Sequence, residues 1–238
     1  MGTIAATFKK EFRTYFNSPI AYIFITVFLV LSNWLFMRGF FIYNQADMRG
    51  YFAFLPWIFL FFIPAVTMRL WAEEKKLGTM ELLMTFPVKD RDVVLGKYLA
   101  SLLFLTITVL LSFSIPLTIA ILGDPDGGPI TGSYLGTILM GAAYLAIGLF
   151  FSSLTENQIV AFILGVVGCF LLFIIGEDFV LFTLPQALVP LFKHLGLGTH
   201  FDSISRGVLD SRDILYYVSV VVFFLYLNIR SVESRKWK

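Results

Sequence analysis

The chain has 238 residues, of which 58% are hydrophobic and only 14% are charged, and its formal net charge at pH 7 is +2. A soluble domain of this length would need far more polar surface to cover its core, so the composition excludes one. The basic clusters near the two ends need no nucleic acid to explain them, and we expect no nucleic-acid partner. The composition instead predicts an integral membrane protein in contact with a lipid bilayer.

The N-terminal residues predict an amphipathic helix that lies in the inner headgroup layer before the first span. On a helical wheel for residues 4–16, Ile4 and Tyr15 fall on the same side as the Phe residues, and the basic residues lie opposite. We assign residues 1–19 to this interfacial segment, with a disordered basic tail as the alternative. The residues expected to anchor it at the membrane are Phe8, Lys9, Lys10, Phe12 and Arg13.

Six long apolar runs follow, each long enough to cross a hydrocarbon core of roughly 30 Å. Continuous runs favour helices, because a membrane β-barrel would show short alternating strands instead. The predicted fold class is an all-α integral membrane protein with a six-span domain at 20–229 and a basic cytosolic tail at 230–238. The predicted spans are about 20–43, 51–71, 94–122, 133–153, 157–176 and 214–229.

The distribution of basic residues predicts the orientation of these spans. When the N-terminus is placed inside, most of the 18 Lys and Arg residues fall in cytosolic segments. Membrane proteins keep such residues on the cytoplasmic side, so we expect both termini to be cytosolic.

A dense polar insert separates the second and third spans, with five acidic and five basic residues at 69–92. The second span is expected to continue as a helix through residues 71–76 and to stop at Gly78, which suits a C′ position. Thr79 can then N-cap a short helix at 80–85, and Asp90 or Asp92 can cap the third span. Such a compact charged loop predicts a docking surface for a partner chain; a merely solvated loop is the alternative.

The spans themselves offer little chemistry. We find no zinc-protease, serine-hydrolase or P-loop motif, and no paired carboxylates within a span. Arg38, Arg69 and Lys97 lie near span ends, where their side chains are expected to reach the headgroups. The 72–92 loop is far too short to be a nucleotide-binding domain, so any energy source must come from another chain.

The outer segment at 177–213 is too polar in its second half to span, and we expect short interfacial or re-entrant helices there. His194 and His200 are six residues apart and lack a third ligand, which is not the spacing of a metal pair on a helix. We therefore expect no metal site and interpret both histidines as solvated.

The stretches NSPIAYIFITVFLVLSNWLF and IPAVTMRLWAEEKKLGTMELLMTFPVKDRDVVLGKYLA closely resemble permease subunits of ABC-2-type transporters, and most of all the gliding-motility-associated permease group. The specific part is the pattern M-R-x-x-A-E-E-K-x-x-G-T-x-E-L-L at 68–83. The string SSLTENQIVAF at 152–162 and the six-span layout extend the resemblance to nearly the whole chain.

This resemblance implies the transmembrane permease subunit of an ATP-driven exporter in the bacterial cytoplasmic (inner) membrane. It implies a second permease, identical or paralogous, and two copies of an ABC ATPase subunit that binds ATP and Mg. For this group it also implies an auxiliary membrane subunit with a large extracytoplasmic domain. The chain itself would then be non-catalytic and carry no cofactor.

Under this interpretation the short helix at 80–85 is held in a groove of the ATPase, and the turn after the fourth span faces the same partner. Two alternatives remain, a membrane anchor or scaffold of a larger envelope complex and an integral membrane enzyme, for which Glu177 and Asp178 form the nearest acidic pair. The residues expected at the ATPase-coupling interface are Glu73, Glu74, Lys75, Lys76, Gly78, Thr79, Glu81, Leu82, Leu83, Met84 and Glu156.

Overall fold

The computed structural model describes residues 2–43, 47–80, 88–207 and 210–234 of the chain. Within these residues all regular elements are α-helices and no strand occurs, which confirms the all-α prediction for the described part. The helices are α1 (Thr3–Asn17), α2 (Pro19–Tyr43), α3 (Arg49–Thr67), α4 (Arg69–Lys76), α5 (Asp90–Leu111), α6 (Ser114–Leu122), α7 (Gly127–Leu154), α8 (Gln158–Ile174), α9 (Asp178–Leu181), α10 (Val189–Leu195), α11 (Leu197–Ser205) and α12 (Ser211–Glu233).

Five stretches of the described chain are long and apolar enough to cross a membrane, which makes this a multi-pass membrane protein. The sixth predicted span, 157–176, corresponds to α8, which is shorter, at 17 residues. The structure thus confirms a helical membrane fold, while six crossings stay a prediction. The five stretches are Pro19–Phe40, Arg49–Lys76, Asp90–Leu122, Gly127–Leu154 and Ser211–Glu233.

The central helix of the bundle is α7, which packs against α3, α5, α8, α11 and α12. Of the residues in its most apolar stretch, 72% are buried, against 22% for α2 and 17% for α12. The first and last spans therefore lie at the periphery and present most of their apolar side chains outward, as lipid-facing helices do.

The second and third spans are each interrupted. The second breaks at Met68, between α3 and α4. The third breaks at Ser112 and Phe113, between α5 and α6. At its start α5 has Lys89 in the N-cap position, so the expected cap by Asp90 or Asp92 is wrong, and both lie in the first turn instead.

Helix α8 runs antiparallel to α7 and stops beside its middle. Gly165 lies against Gly148, with a Cβ built on Gly165 standing 3.8 Å from the Gly148 Cα, and the thiol of Cys169 is 3.9 Å from the carbonyl oxygen of Tyr144. Continuing this register places Ile174, the last residue of α8, opposite the midpoint of α7. The chain therefore leaves α8 well short of the N-terminal end of α7.

The segment at 177–213 continues along α7 towards the N-terminal end of that helix. Gly176 and Gly196 come into backbone contact, and α11 then follows α7, with Ile204 packed on Gly136. Helices α9 and α10 join these two points and keep large apolar side chains exposed, with Phe182 at 92%. The segment thus consists of short helices, of which α11 is the one packed into the bundle.

Candidate functional site

Helix α4 extends the second span past the break at Met68 and ends where the sequence predicts. Leu70, Trp71 and Ala72 are buried on one side, and Lys76 is exposed. The helix closes with Gly78 at φ +68°, a left-handed conformation that glycine adopts without a steric penalty. The expected stop at Gly78 is confirmed.

Three helices meet at the ammonium group of Lys97, in the second turn of α5. Its Nζ lies 2.8 Å from Glu74 Oε1 of α4 and 3.0 Å from Glu11 Oε1 of α1. It also donates to the carbonyl oxygen of Leu70 at 2.9 Å and lies 5.0 Å from the centroid of the Trp71 ring. We call Lys97, Glu11 and Glu74 the Lys97 cluster.

The Lys97 cluster contradicts the expectation that Lys97 reaches the headgroups. The Lys97 side chain is only 2% exposed, and its three oxygen partners match the three donors of an ammonium group. A buried charge is tolerated when it is paired and hydrogen-bonded in this way, and removing one partner leaves an uncompensated charge inside the protein. The cluster therefore fixes α1, α4 and α5 in one arrangement.

Helix α1 docks on α5 through the same face. Its buried residues are Glu11 and Tyr15, and the Tyr15 hydroxyl lies 2.9 Å from Ser101 Oγ of α5. Burial raises the pKa of Tyr15 to about 12. The Arg69 guanidinium stands 5.1 Å from the centre of the Tyr15 ring and is partly exposed, and its contact with the headgroups stays a prediction.

The predicted anchor residues of α1 lie on its outer sides. Lys9, Lys10 and Arg13 are exposed, and Phe8 and Phe12 are partly exposed. Their contact with lipid stays a prediction. The helical wheel missed Glu11, which lies between the aromatic positions and faces α5.

A second set of contacts ties α4 to the ends of α7 and α12. The Ser152 hydroxyl donates to the carbonyl of Met68 at 2.8 Å and accepts from the amide of Trp71 at 3.1 Å, so it bridges the break between α3 and α4. Lys75 donates to the carbonyl of Ser153, and the Ser153 hydroxyl lies 2.9 Å from that of Ser231 in α12. These contacts place the ends of α4, α7 and α12 on one side of the bundle.

The predicted coupling residues divide into two groups. Glu74 and Lys75 point inward, to Lys97 and Ser153, and so hold α4 in place. Lys76, Gly78, Thr79 and Glu156 are exposed, and Glu73 is partly exposed. Of the helix expected at 80–85 only Met80 is described, and it is buried; Glu81, Leu82, Leu83 and Met84 lie outside the described residues.

Sequence reasoning missed Glu11, Lys97, Ser152 and Ser153 as parts of this site. A lysine four residues inside an apolar run is a usable signal, because a charge at that depth needs a partner. The serines gave no such signal, since serines in membrane helices ordinarily make hydrogen bonds within or between helices. Among the described residues no group of three or more His, Cys, Asp or Glu is placed to hold a metal ion.

The fold and the site define a multi-pass helical membrane protein whose buried polar side chains join helices to one another. A family model for ABC-2 family transporter proteins matches residues 16–195, which is most of the chain, and the chain belongs to that family. No curated protein matches it. Its role is therefore of the permease type, a transport component not itself catalytic, and the family implies an ABC ATPase partner in general.

Proposed function

We propose that this chain is the translocation subunit of an ATP-driven exporter in the bacterial inner membrane. It would pair with a second permease and with two copies of a cytosolic ABC ATPase, which binds the ATP and Mg. Its place in the gliding-motility-associated group, and an auxiliary subunit with an extracytoplasmic domain, rest on the sequence resemblance alone.

The observation that carries this proposal is the Lys97 cluster. A permease driven from outside the membrane needs a rigid connection between the surface that the ATPase pushes and the helices that open the pathway. Here α4 is the last part of the second span and connects it to the segment after Gly78. Glu74 fixes α4 to Lys97 of the third span. A displacement of α4 would therefore move the second and third spans together with α1.

The exposed end of α4 is the proposed contact with the ATPase. Lys76, Gly78 and Thr79 lie at this end, and the coupling helix expected at 80–85 would follow them. Glu156 lies in the turn after Ser153, which Lys75 ties to α4, so both proposed contact regions share one side of the bundle.

A sixth crossing is supported by the directions of α7 and α12. Asn228 of α12 donates to the carbonyl of Leu149, and Ser231 contacts Ser153, so the C-terminal ends of both helices lie on the same side. Two helices that run in the same direction need a return between them, and α8 with the outer segment supplies it. We propose that this common side is cytosolic and carries both termini.

The test separates binding of the ATPase from control of its hydrolysis rate. The tagged chain is co-expressed with its candidate ABC ATPase, and a Lys97→Met variant is compared with Lys193→Met, which removes one exposed outer charge. We expect the wild type and Lys193→Met to bind the ATPase and change its hydrolysis rate in nanodiscs, and Lys97→Met to bind it without changing that rate. A wild-type chain that co-purifies with the ATPase yet leaves its hydrolysis unchanged would indicate a scaffold or anchor instead.

A further inference from the structure

The histidine on α11 is buried, contrary to the expectation of two solvated histidines. The His200 side chain is 10% exposed, whereas His194 is exposed as expected. His200 Nδ1 lies 2.6 Å from Asp213 Oδ1, and its Nε2 lies 3.0 Å from the carbonyl oxygen of His194. Its ring stacks on Tyr216, with 3.9 Å between centroids and 19° between planes.

These contacts limit where the protons can lie. The carbonyl oxygen opposite Nε2 can only accept, so Nε2 of His200 carries a proton. Nδ1 lies 2.6 Å from a carboxyl oxygen, so a further proton lies between them and belongs either to the imidazole or to Asp213. When the imidazole holds it, both ring nitrogens are protonated and the pair consists of an imidazolium and a carboxylate.

The same region of α12 holds the N-terminal start of α11 by two further contacts. The Tyr217 hydroxyl donates to the carbonyl of Leu197 at 2.8 Å, and the Tyr216 hydroxyl donates to the carbonyl of Leu195 at 2.5 Å. Phe201 and Ile204 of α11 are buried against α7. Helix α11 is therefore wedged between the central helix and the last span.

We propose that His200 and Asp213 form a buried ionic clamp that fixes α11 to the last span and so closes the outer part of the bundle. The proposal does not depend on the transport role. Separating the two charges away from water is costly, so the clamp holds α11 in a single docked position. Movement of α11 away from α12 requires that the pair break or that its proton be transferred.

The protonation state can be measured directly because the chain has only two histidines. The full chain is labelled with ¹⁵N-histidine and placed in nanodiscs, and a His194→Gln variant assigns the remaining signals to His200. At pH 7.5 we expect both His200 nitrogens to show the chemical shifts of an imidazolium. Shifts of a neutral ring with one protonated nitrogen would overturn the proposal.

The clamping role is tested by hydrogen exchange of the amides in α11. We expect at least tenfold faster exchange over Leu197–Ser205 in Asp213→Asn and in His200→Gln, and no further increase when both are combined. The Asp213→Glu variant keeps the charge and should restore most of the protection. The control is Asp202→Asn, which removes an exposed carboxylate from the same helix. Wild-type exchange rates in Asp213→Asn, or equal acceleration by the control, would overturn the proposal.

Discussion

Gly96 of α5 and Thr7 of α1 approach so closely that a Cβ built on Gly96 would stand 2.6 Å from the Thr7 Cβ. The carbonyl oxygen of Ile4 would be 3.1 Å from the same position. Close backbone contact of this kind needs the smallest side chain at the interface. Helix α1 is therefore a packed member of the bundle, and its position is fixed by the helix that carries Lys97.

The first prediction concerns this contact. Gly96→Ala should destabilise the protein by about 1–3 kcal/mol, because the added methyl group forces α1 away from α5. Cys169 is the chain's single cysteine and is buried, so a thiol-reactive dye reports unfolding directly in a thermal melt. The control is Gly50→Ala, where no atom lies within 4 Å of the added carbon. Equal melting temperatures for Gly96→Ala and the wild type would contradict the docking of α1.

The second prediction concerns the Lys97 cluster. Lys97→Met should cost about 3–5 kcal/mol, since Glu11 and Glu74 would keep their charges without the ammonium group. Adding Glu11→Gln and Glu74→Gln to this variant should recover most of the loss, because the two carboxylates, which would then have only the exposed Lys10 as an ionic partner, are absent. The dye melt measures all of these proteins. Lys193→Met, at an exposed position, should stay within about 0.5 kcal/mol of the wild type.

The third prediction concerns the break in the second span. Ser152→Ala removes the hydroxyl that contacts the partly buried Met68 carbonyl and the buried Trp71 and Ala72 amides. We expect a loss of about 1–3 kcal/mol in the same melt, since these backbone groups are left without that partner. Ser219→Ala changes an exposed serine of α12 and should be near neutral. If the two variants melt alike, Ser152 does not stabilise the break.

The fourth prediction is a dependence on pH. Burial, with Asp202 and Asp178 nearby, raises the pKa of the Glu177 carboxyl above its ordinary value of 4.5. The folded protein thus binds this proton more tightly than the unfolded chain, and stability falls as pH rises from 4.5 through the folded value. Glu177→Gln should be more stable than the wild type at pH 7 and should lose this part of the pH dependence.

The matched control for Glu177→Gln is Asp124→Asn, which removes an exposed outer carboxylate. Melts at several pH values should separate the two variants, with the control following the wild-type curve. A Glu177→Gln protein whose stability varies with pH as the wild type's does would show that this carboxyl group is not the cause.

The parts of the fold that could be predicted rest on local sequence. Apolar runs locate the helices because a helix that crosses lipid needs an apolar side chain at nearly every position. Gly78 marks the end of α4 because glycine adopts a left-handed conformation without a steric penalty. The Lys97 cluster could not be predicted, since Glu11 and Lys97 are 86 residues apart. A lysine near a span end has the same local pattern whether it reaches the headgroups or a buried carboxylate.

The structure of the outer segment could not be predicted for the same reason. His200 in a polar stretch gave no sign of burial, because its partner Asp213 lies on the next helix and only the fold brings them together. The apolar run at 157–176 predicted a full span, yet α8 ends at Ile174. The contact between Gly176 and Gly196 turns the chain there, and that contact depends on residues from the returning segment.

The shortness of α8 has a consequence for the lipid around it. Seventeen residues rise about 25 Å, which is less than the roughly 30 Å of an average hydrocarbon core, and Ile163, Val167 and Leu171 face outward along it. Where α8 crosses the membrane as proposed, the lipids beside it must shorten or tilt to match it, whereas those beside the longer spans need not. We therefore expect the protein to favour thin membranes and to melt at lower temperature as the acyl chains of its vesicles lengthen.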